Sequence, residues 1–502
     1  MGAYVGEYVI IYLVAFTLSV FLVPMVRTLA LRLGAVDEPD GIRKIHTEAV
    51  PRMGGVAIFI AFVVPVVGVY VLGATGVRGS WAYTALAANP TALAGLLGAS
   101  LLILLLGVYD DLYHARPRVK VLFQVIAALI LCYVGIQFSA VANPFGEGKI
   151  TFWEPVAWAL TIFWILAITN AINLIDGMDG LGPGVGLFVA GTLFVISLFL
   201  EVPLVSAVTA ALVGAMIGFL IFNFHPAKMF MGDSGSLFVG FLLAAMAMQG
   251  SVKRHIMVPI IALALPIVDT LLAILRRWSR GLPMSVPDKL HVHHRLMKMG
   301  FSQREAVLVL YAISGILGCS ALVIAVSNNV WAFWIASGTI VAILAVSVNL
   351  LGAREFVAAP ALIAQAVRRR RRRGKAWVNV YTAAARMENV ATLDELWASV
   401  ERLLLELDLD TAHVRLEDDV DGKRSFDWVR SGTSPSIDAE GTMQQGWTAR
   451  LPLLDGDRVL GSLVLGKDSR RGPLPDALGG MADVLCQEIV KTLERLDVPD
   501  ES

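Results

Sequence analysis

Apolar stretches alternate with short polar loops along the first 351 residues. A helix needs about 20 predominantly apolar residues to cross the hydrocarbon core of a bilayer. Eleven stretches approach that length, near 8–30, 54–74, 91–109, 119–138, 156–172, 185–200, 204–223, 235–249, 256–276, 306–327 and 330–351. The pattern predicts an all-α polytopic membrane bundle of about 11 transmembrane helices. Composition agrees: 56% of residues are hydrophobic and only 16% charged, which sets the chain apart from an ordinary soluble enzyme.

The basic residues choose sides. Arg43, Lys44 and Arg52 follow the first span, Arg116 and Arg118 the third, Lys228 the seventh, and Arg276, Arg277 and Arg280 the ninth; the intervening loops hold only Arg78, Lys149, Lys253 and Arg254. By the positive-inside rule the odd loops and the carboxyl tail are expected to be cytoplasmic, in a multi-pass protein of the inner (plasma) membrane. Glu7 is the only charge ahead of the first span and no small-residue cleavage pattern follows it, so a retained helix is expected rather than a removable signal. The net charge of zero adds nothing about partners. Cys132, Cys319 and Cys486 show no spacing that suggests a disulfide framework or a thiolate metal site.

After Leu351 the composition changes. The expected organisation is a membrane domain over 1–355, a basic linker over 356–376 that includes Arg368 to Arg373, and a cytoplasmic α+β domain over 377–502. Within that domain Leu393 to Leu407 has helical periodicity. Ala412 to Leu416, Trp447 to Leu454 and Val459 to Leu465 read as strands, with a hairpin turn at Asp455-Gly456-Asp457 and a last helix from about Asp476 to Leu496. The segment RLPLLDGDRVLGSLVLG resembles the late hairpin of GAF-type sensor domains.

The unusual polar clusters occupy five loops of one parity. The first runs from Asp37 through Arg43-Lys44-Ile45-His46 to Pro51-Arg52-Met53-Gly54-Gly55. Cations and glycines at a helix start suit phosphate, because backbone amides and the positive helix end add to the side chains. Inside anchoring is the plainer alternative, and it leaves the glycine pair and His46 without a reason. The second opens on Asp110-Asp111 and continues to Lys120. Adjacent carboxylates repel and are easiest to hold around a cation, unless they merely end a solvated helix.

The third, Asn170-Ala171-Ile172-Asn173-Leu174-Ile175-Asp176-Gly177-Met178-Asp179-Gly180, repeats oxygen donors every third residue, so they trace one face of a helix end before the glycines unwind it. It lacks the ligand order of an EF-hand. The fourth, Met231-Gly232-Asp233-Ser234-Gly235, sets a carboxylate among glycines that either let the backbone approach a ligand or form a simple turn. The fifth, His291-Val292-His293-His294-Arg295, suits a pyrophosphate, with zinc or an inert cluster as alternatives. Carboxylates and amides without thiolates, facing the same side as these cations, match a magnesium site for phosphoryl transfer, with manganese as a substitute.

The five ordered motifs resemble those of the polyprenyl-phosphate N-acetylhexosamine-1-phosphate transferases, the superfamily of the WecA, TagO and MraY enzymes, over about residues 8–325. The resemblance implies that a polyprenyl phosphate attacks the β-phosphorus of a UDP-amino sugar and releases UMP. It implies magnesium on Asn173 and Asp233, with Asp110 or Asp111 as a further ligand, and catalytic roles for Asp110, Asp111, Asp176 and Asp179, with Asp110 deprotonating or orienting the lipid phosphate and Asp176 and Asp179 serving nucleotide binding or catalysis. Lys44, His46, Lys120, Asn170, His291, His293, His294 and Arg295 are implied to bind substrate. The first and fifth loops are similar to the WecA and TagO side, which makes UDP-N-acetylglucosamine the expected donor; UDP-N-acetylgalactosamine and the UDP-MurNAc-pentapeptide are the alternatives. The product would feed cell-envelope polysaccharide such as lipopolysaccharide or teichoic acid.

Two other classes compete. A lipid transporter or flippase with a cytosolic sensor would carry charges near the bilayer midplane and broken helices, for which Asp269 is the one residue in favour. A signalling receptor would need an output motif that the tail lacks. No aromatic residues interleave the arginine run, so no nucleic-acid partner is expected. The expected partners are the lipid, the nucleotide sugar, the membrane and a second copy in a homodimer.

Overall fold

The computed structural model describes residues 2–37, 49–75, 81–142, 149–251, 257–279, 291–327, 334, 338, 374–416, 426–431, 443, 446–455, 458–471 and 478–497. Two compact units divide the chain, Met1–Ala359 and Pro360–Ser502.

The first unit is helical. It contains α1 (Gly2–Leu33), α2 (Gly54–Ala74), α3 (Trp81–Ala87), α4 (Pro90–Tyr113), α5 (Pro117–Tyr133), α6 (Glu154–Ile175), α7 (Leu181–Phe199), α8 (Pro203–Asn223), α9 (Gly232–Ser251), α10 (Met257–Ala262), α11 (Ala264–Ser279), α12 (Val292–Lys298) and α13 (Gln303–Val326). Two short antiparallel hairpins interrupt them, β1 (Val36–Asp37) with β2 (Val50–Pro51) and β3 (Ala140–Ala142) with β4 (Lys149–Thr151). Helix starts follow local chemistry. Asn89 caps α4 by accepting from the Ala92 amide at 3.0 Å ahead of Pro90, and Ser302 with Glu305 forms a capping box on α13.

Among the described residues seven helices are long and apolar enough to cross a membrane: α1 from Val5, α2, α4, α6, α7, α8 and α13. The protein is therefore a multi-pass membrane protein. The span expected at 119–138 is the 17-residue α5, and that at 256–276 is divided at Leu263 into α10 and α11. The span expected at 330–351 lies almost wholly outside the described residues.

Helix α9 is the hub. Every residue from Leu237 to Met248 is buried, as expected of a helix that is apolar on all sides. It packs against α2, α4, α6 and α7. Phe59 and Phe62 of α2 meet Phe238 at ring separations of 5.1 and 5.6 Å, and the Trp164 indole NH of α6 donates to the Ala244 carbonyl at 3.1 Å.

Its first turn is wedged by glycines. A Cβ on Gly107 of α4 would overlap the backbone of Asp233 and Ser234, and one on Gly55 of α2 would overlap that of Ser234 and Gly235. For the first loop this corrects the expectation that the glycine pair Gly54-Gly55 offers its backbone to a phosphate. The Gly54 and Gly55 amides donate to the carbonyls of Phe230 and Met231 at 3.0 and 2.9 Å, so they are spent inside the protein.

The second unit is a two-layer α/β arrangement. Helices α14 (374–387), α15 (Leu393–Glu406) and α16 (Leu478–Asp497) share one core with the sheet, in which Val380, Met387, Trp397, Leu403, Val414 and Leu465 are buried. The sheet is antiparallel in the order β6 (Phe426–Val429), β5 (Thr411–Leu416), β8 (Arg458–Asp468), β7 (Gly446–Asp455). Helix α14 begins ahead of the boundary expected at residue 377, and its Ala376 and Trp377 already pack on the core.

Gly107→Ala is expected to destabilise the bundle by about 1–3 kcal/mol, the usual cost of an extra methyl in a closed contact. Gly98→Ala, on the same helix with nothing within 4 Å of the new methyl, is expected to be neutral. Melting temperatures in detergent check this; equal values for the two variants would contradict the wedge.

Candidate functional site

A cavity of about 730 Å³ opens at one end of the bundle. All five loops singled out by their parity reach it: Asp37 and Arg52 from the first, Asp111 from the second, Asn173, Asp176 and Asp179 from the third, Lys228 and Asp233 from the fourth, and His294 from the fifth. The hydropathy pattern placed these loops on one side, and folding gathers them around one space.

Asp233 sits in the first turn of α9. Its Oδ1 accepts from Asn173 Nδ2 at 3.0 Å, and Asn173 also donates to Ser236 Oγ at 2.8 Å. Its Oδ2 is held by Lys120, whose ammonium also donates to Asp110 Oδ2 at 2.7 Å. Asp110 and Lys120 do not line the cavity themselves; they reach it through Asp233.

Asp111 has a different task. It accepts from the backbone amides of Asp233 and Ser234 at 2.8 and 3.1 Å, so it caps α9 and complements the positive helix end. Both carboxylates of the second loop are buried, which removes the alternative of a solvated helix end.

The third loop behaves as its spacing predicts. Asn170 and Asn173 lie in the last turns of α6, and Asp176 is its carboxyl-terminal cap residue. Asn170 points elsewhere than expected: its amide donates to Gln124 Oε1 and to the Leu166 carbonyl, each at 2.7 Å, and it does not line the cavity. The Asp176 carboxyl is pushed up to about 8, chiefly by burial and then by the nearby charges of Asp233 and Asp111. Asp179 accepts from the Ala227 amide at 3.1 Å and pairs with His225 Nδ1 at 2.8 Å.

In the fifth loop, His291 Nδ1 pairs with Asp269 at 2.8 Å, and the other Asp269 oxygen accepts from the Val292 amide at 3.0 Å. Asp269 is thus spent on aiming the histidine loop, and it no longer speaks for a transporter. His293 stacks parallel to His291 at 5.8 Å. Burial and then the neighbouring His294 push its pKa down to about 3, so its ring is neutral, with a buried Nδ1 that lacks a partner. Arg295 belongs to the same short helix without lining the cavity. Lys44 and His46 lie outside the described residues.

Arg27 and His225, for which the sequence suggested no role, join Arg52 in lining the cavity. Arg27 near the end of α1 donates from Nε to the Lys228 carbonyl at 3.1 Å, Arg52 pairs with Asp37, and His225 pairs with Asp179; all line the cavity. The available signal was a charge or an imidazole next to a span end of the right parity.

Among the described residues no three His, Cys, Asp or Glu side chains form a closed metal-ligand set. Magnesium does not require one, since it takes one or two carboxylates and completes its shell with substrate phosphates and water. Asp233 and Asn173, with Asp111 and Asp176 on the same cavity wall, fit such an open oxygen site. Burial is the main cause of the raised Asp176; the further part that comes from Asp233 and Asp111 is what a cation there would relieve.

A family model for glycosyl transferase family 4 matches residues 93–251, from the start of α4 to the end of α9. The chain is 38% identical, over 64% of its length and 86% of the relative's, to the probable undecaprenyl-phosphate N-acetylglucosaminyl 1-phosphate transferase of Bacillus subtilis (strain 168). The chain belongs to glycosyl transferase family 4. It is also 34% identical to the decaprenyl-phosphate N-acetylglucosaminephosphotransferase of Mycolicibacterium smegmatis, over 64% of this chain and 82% of the relative. With the undecaprenyl-phosphate alpha-N-acetylglucosaminyl 1-phosphate transferase of Escherichia coli (strain K12) it shares 26% identity, over 58% and 77%. The matched family 4 region contains Asp110, Asp111, Lys120, Asn173, Asp176, Asp179 and Asp233, while the histidine loop follows it.

The raised Asp176 carboxyl makes a signed prediction. A folded-state value above the unfolded one means that stability is lost as pH rises from the unfolded pKa towards about 8. Asp176→Asn should therefore raise the melting temperature more at pH 8 than at pH 5 in magnesium-free detergent solution. An equal gain at both values would contradict the assignment.

Proposed function

We infer that the protein transfers N-acetylglucosamine-1-phosphate from UDP-N-acetylglucosamine to a polyprenyl phosphate, releasing UMP and initiating a cell-envelope polysaccharide. The observation that carries this reading is one cavity with carboxylates and an amide on one wall and Arg27, Arg52 and Lys228 among its other lining residues. It occurs in a chain that matches 86% of a relative whose name states that chemistry. The reaction lies at the cytoplasmic face of the inner (plasma) membrane, in a bundle of about 11 membrane helices once the remaining apolar stretches are counted. The tail then faces the cytoplasm as a GAF-like module, with regulation, partner docking or homodimerisation as its work.

An oxygen of the lipid phosphate attacks the β-phosphorus of the nucleotide sugar. The new phosphorus–oxygen bond forms as the bond from the β-phosphorus to the bridging oxygen breaks, and UMP leaves with that electron pair. A phosphate monoester is already a competent nucleophile, so the protein mainly has to position and neutralise. Magnesium, or manganese in its place, would be held by Asp233 and Asn173 and would offset charge on the transferring phosphoryl oxygens.

Lys120 orients the acceptor phosphate, and Asp110 acts by holding Lys120. Asp111 keeps the α9 amino end, and with it Asp233, in place. Asp176 and Asp179 face the nucleotide, Asp179 being steadied by His225. His294 and Arg295 take the pyrophosphate alongside His293, and His291 is set in place by Asp269. Lys44 and His46 add phosphate contacts from the first loop.

Purified protein with undecaprenyl phosphate, UDP-N-acetylglucosamine and magnesium is expected to release UMP and form lipid pyrophosphoryl N-acetylglucosamine. Asp233→Ala should lower kcat by about 10²–10³-fold, the scale of losing one charge-stabilising group. Turnover only with UDP-N-acetylgalactosamine or the UDP-MurNAc-pentapeptide would change the donor. Silence with every donor from a folded sample would remove the transferase reading.

A further inference from the structure

Both oxygens of the Asp233 carboxylate are engaged. Asn173 holds Oδ1 at 3.0 Å and the Lys120 ammonium holds Oδ2. The same ammonium is bonded to Asp110 Oδ2 at 2.7 Å, while Asp110 Oδ1 is fixed independently by the Ala115 amide at 2.7 Å. The Lys120 side chain is only 22% exposed, so this cation fills a partly desolvated gap between carboxylates of α4 and α9.

An ammonium and a divalent ion on the same carboxylate compete for Asp233. Their repulsion at contact distance is poorly screened in such a gap. We propose, resting on the reading that Asp233 holds the divalent ion, that the Lys120 ammonium competes with that ion for Asp233, and that metal binding displaces it from Asp233 and turns it, about Asp110, towards the acceptor phosphate. A lysine suits the task because its ammonium is a compact charge with rotatable donors on a flexible stem, without the fixed fork of arginine. Asp110 can serve as the pivot because its anchor on Ala115 does not involve Asp233. An order of events follows: metal first, then lipid phosphate, since the ammonium is spent on carboxylates until the metal arrives. Lys120 is then a positioning residue that also weakens metal affinity in the resting protein.

The test uses the full chain in detergent, each variant first shown to be monodisperse. Free manganese is followed by electron paramagnetic resonance during titration of wild type, Lys120→Gln, Lys120→Arg and Asp233→Asn. Lys120→Gln is expected to bind manganese roughly fivefold tighter or more, the equivalent of removing one competing ion pair. Lys120→Arg should stay near wild type, and Asp233→Asn should lose the site. In parallel, acylation of wild type with an amine-reactive reagent, read by peptide mass spectrometry, should label Lys120 at least about threefold faster under saturating magnesium, as the ammonium leaves Asp233 and keeps only Asp110. Unchanged or weaker manganese affinity in Lys120→Gln, or unchanged labelling, overturns the displacement. Manganese binding that survives Asp233→Asn removes the metal reading itself, which is distinguishable from an intact Asp233 site that ignores Lys120.

Discussion

The burial of α9 on every side is the constraint on which the site depends. A helix with no lipid-facing side cannot slide or rotate without disturbing α2, α4, α6 and α7 together. Its amino end is fixed by two further devices: glycine wedges from α2 and α4, and the Asp111 carboxylate on its first amides. Asp233 therefore has a defined position before any substrate arrives. Preorganisation of this kind is what phosphoryl transfer asks of a protein, because little covalent chemistry is left for it to perform.

Around that point the charges are segregated. Asp111, Asp176 and Asp233 share the cavity with the cations Arg27 of α1, Arg52 of the first loop and Lys228 of the fourth. Burial, and after it the charges of Asp233 and Asp111, raises Asp176, while the Lys120 ammonium is shared by Asp110 and Asp233. A metal and a pyrophosphate bring charges of both signs that answer both sets of residues. The buried Asp269 carboxylate, bonded to both His291 and the Val292 amide, holds the start of the histidine loop.

Much of this was legible along the chain because a bilayer imposes a coarse, readable code. Apolar runs near the required length marked α1, α2, α4, α6, α7, α8 and α13, and basic residues marked which loops share a side. The three-residue spacing of Asn170, Asn173 and Asp176 likewise foretold a helix end. What stayed hidden were pairings between residues far apart in sequence. Asp111 and Asp233 are 122 residues apart, and nothing local says that one caps the helix of the other. Asn170 looked like an oxygen donor to the site because it shares the spacing of Asn173 and Asp176, yet its amide donates to Gln124. The glycine pair at 54–55 looked like a phosphate cradle, yet it serves backbone packing against the fourth loop. The break at Leu263 escaped notice because an apolar sequence reads the same on either side of it.

In the proposed reaction the bond broken lies between the two phosphates of the donor rather than between sugar and phosphate. UDP-N-acetylglucosamine carrying radioactive phosphorus only at the β position tests it most directly, with undecaprenyl phosphate as acceptor. The account predicts that the label moves into the lipid product and that the released nucleotide is unlabelled UMP. Label retained in released UDP would mean that the sugar alone is transferred, and would contradict the account.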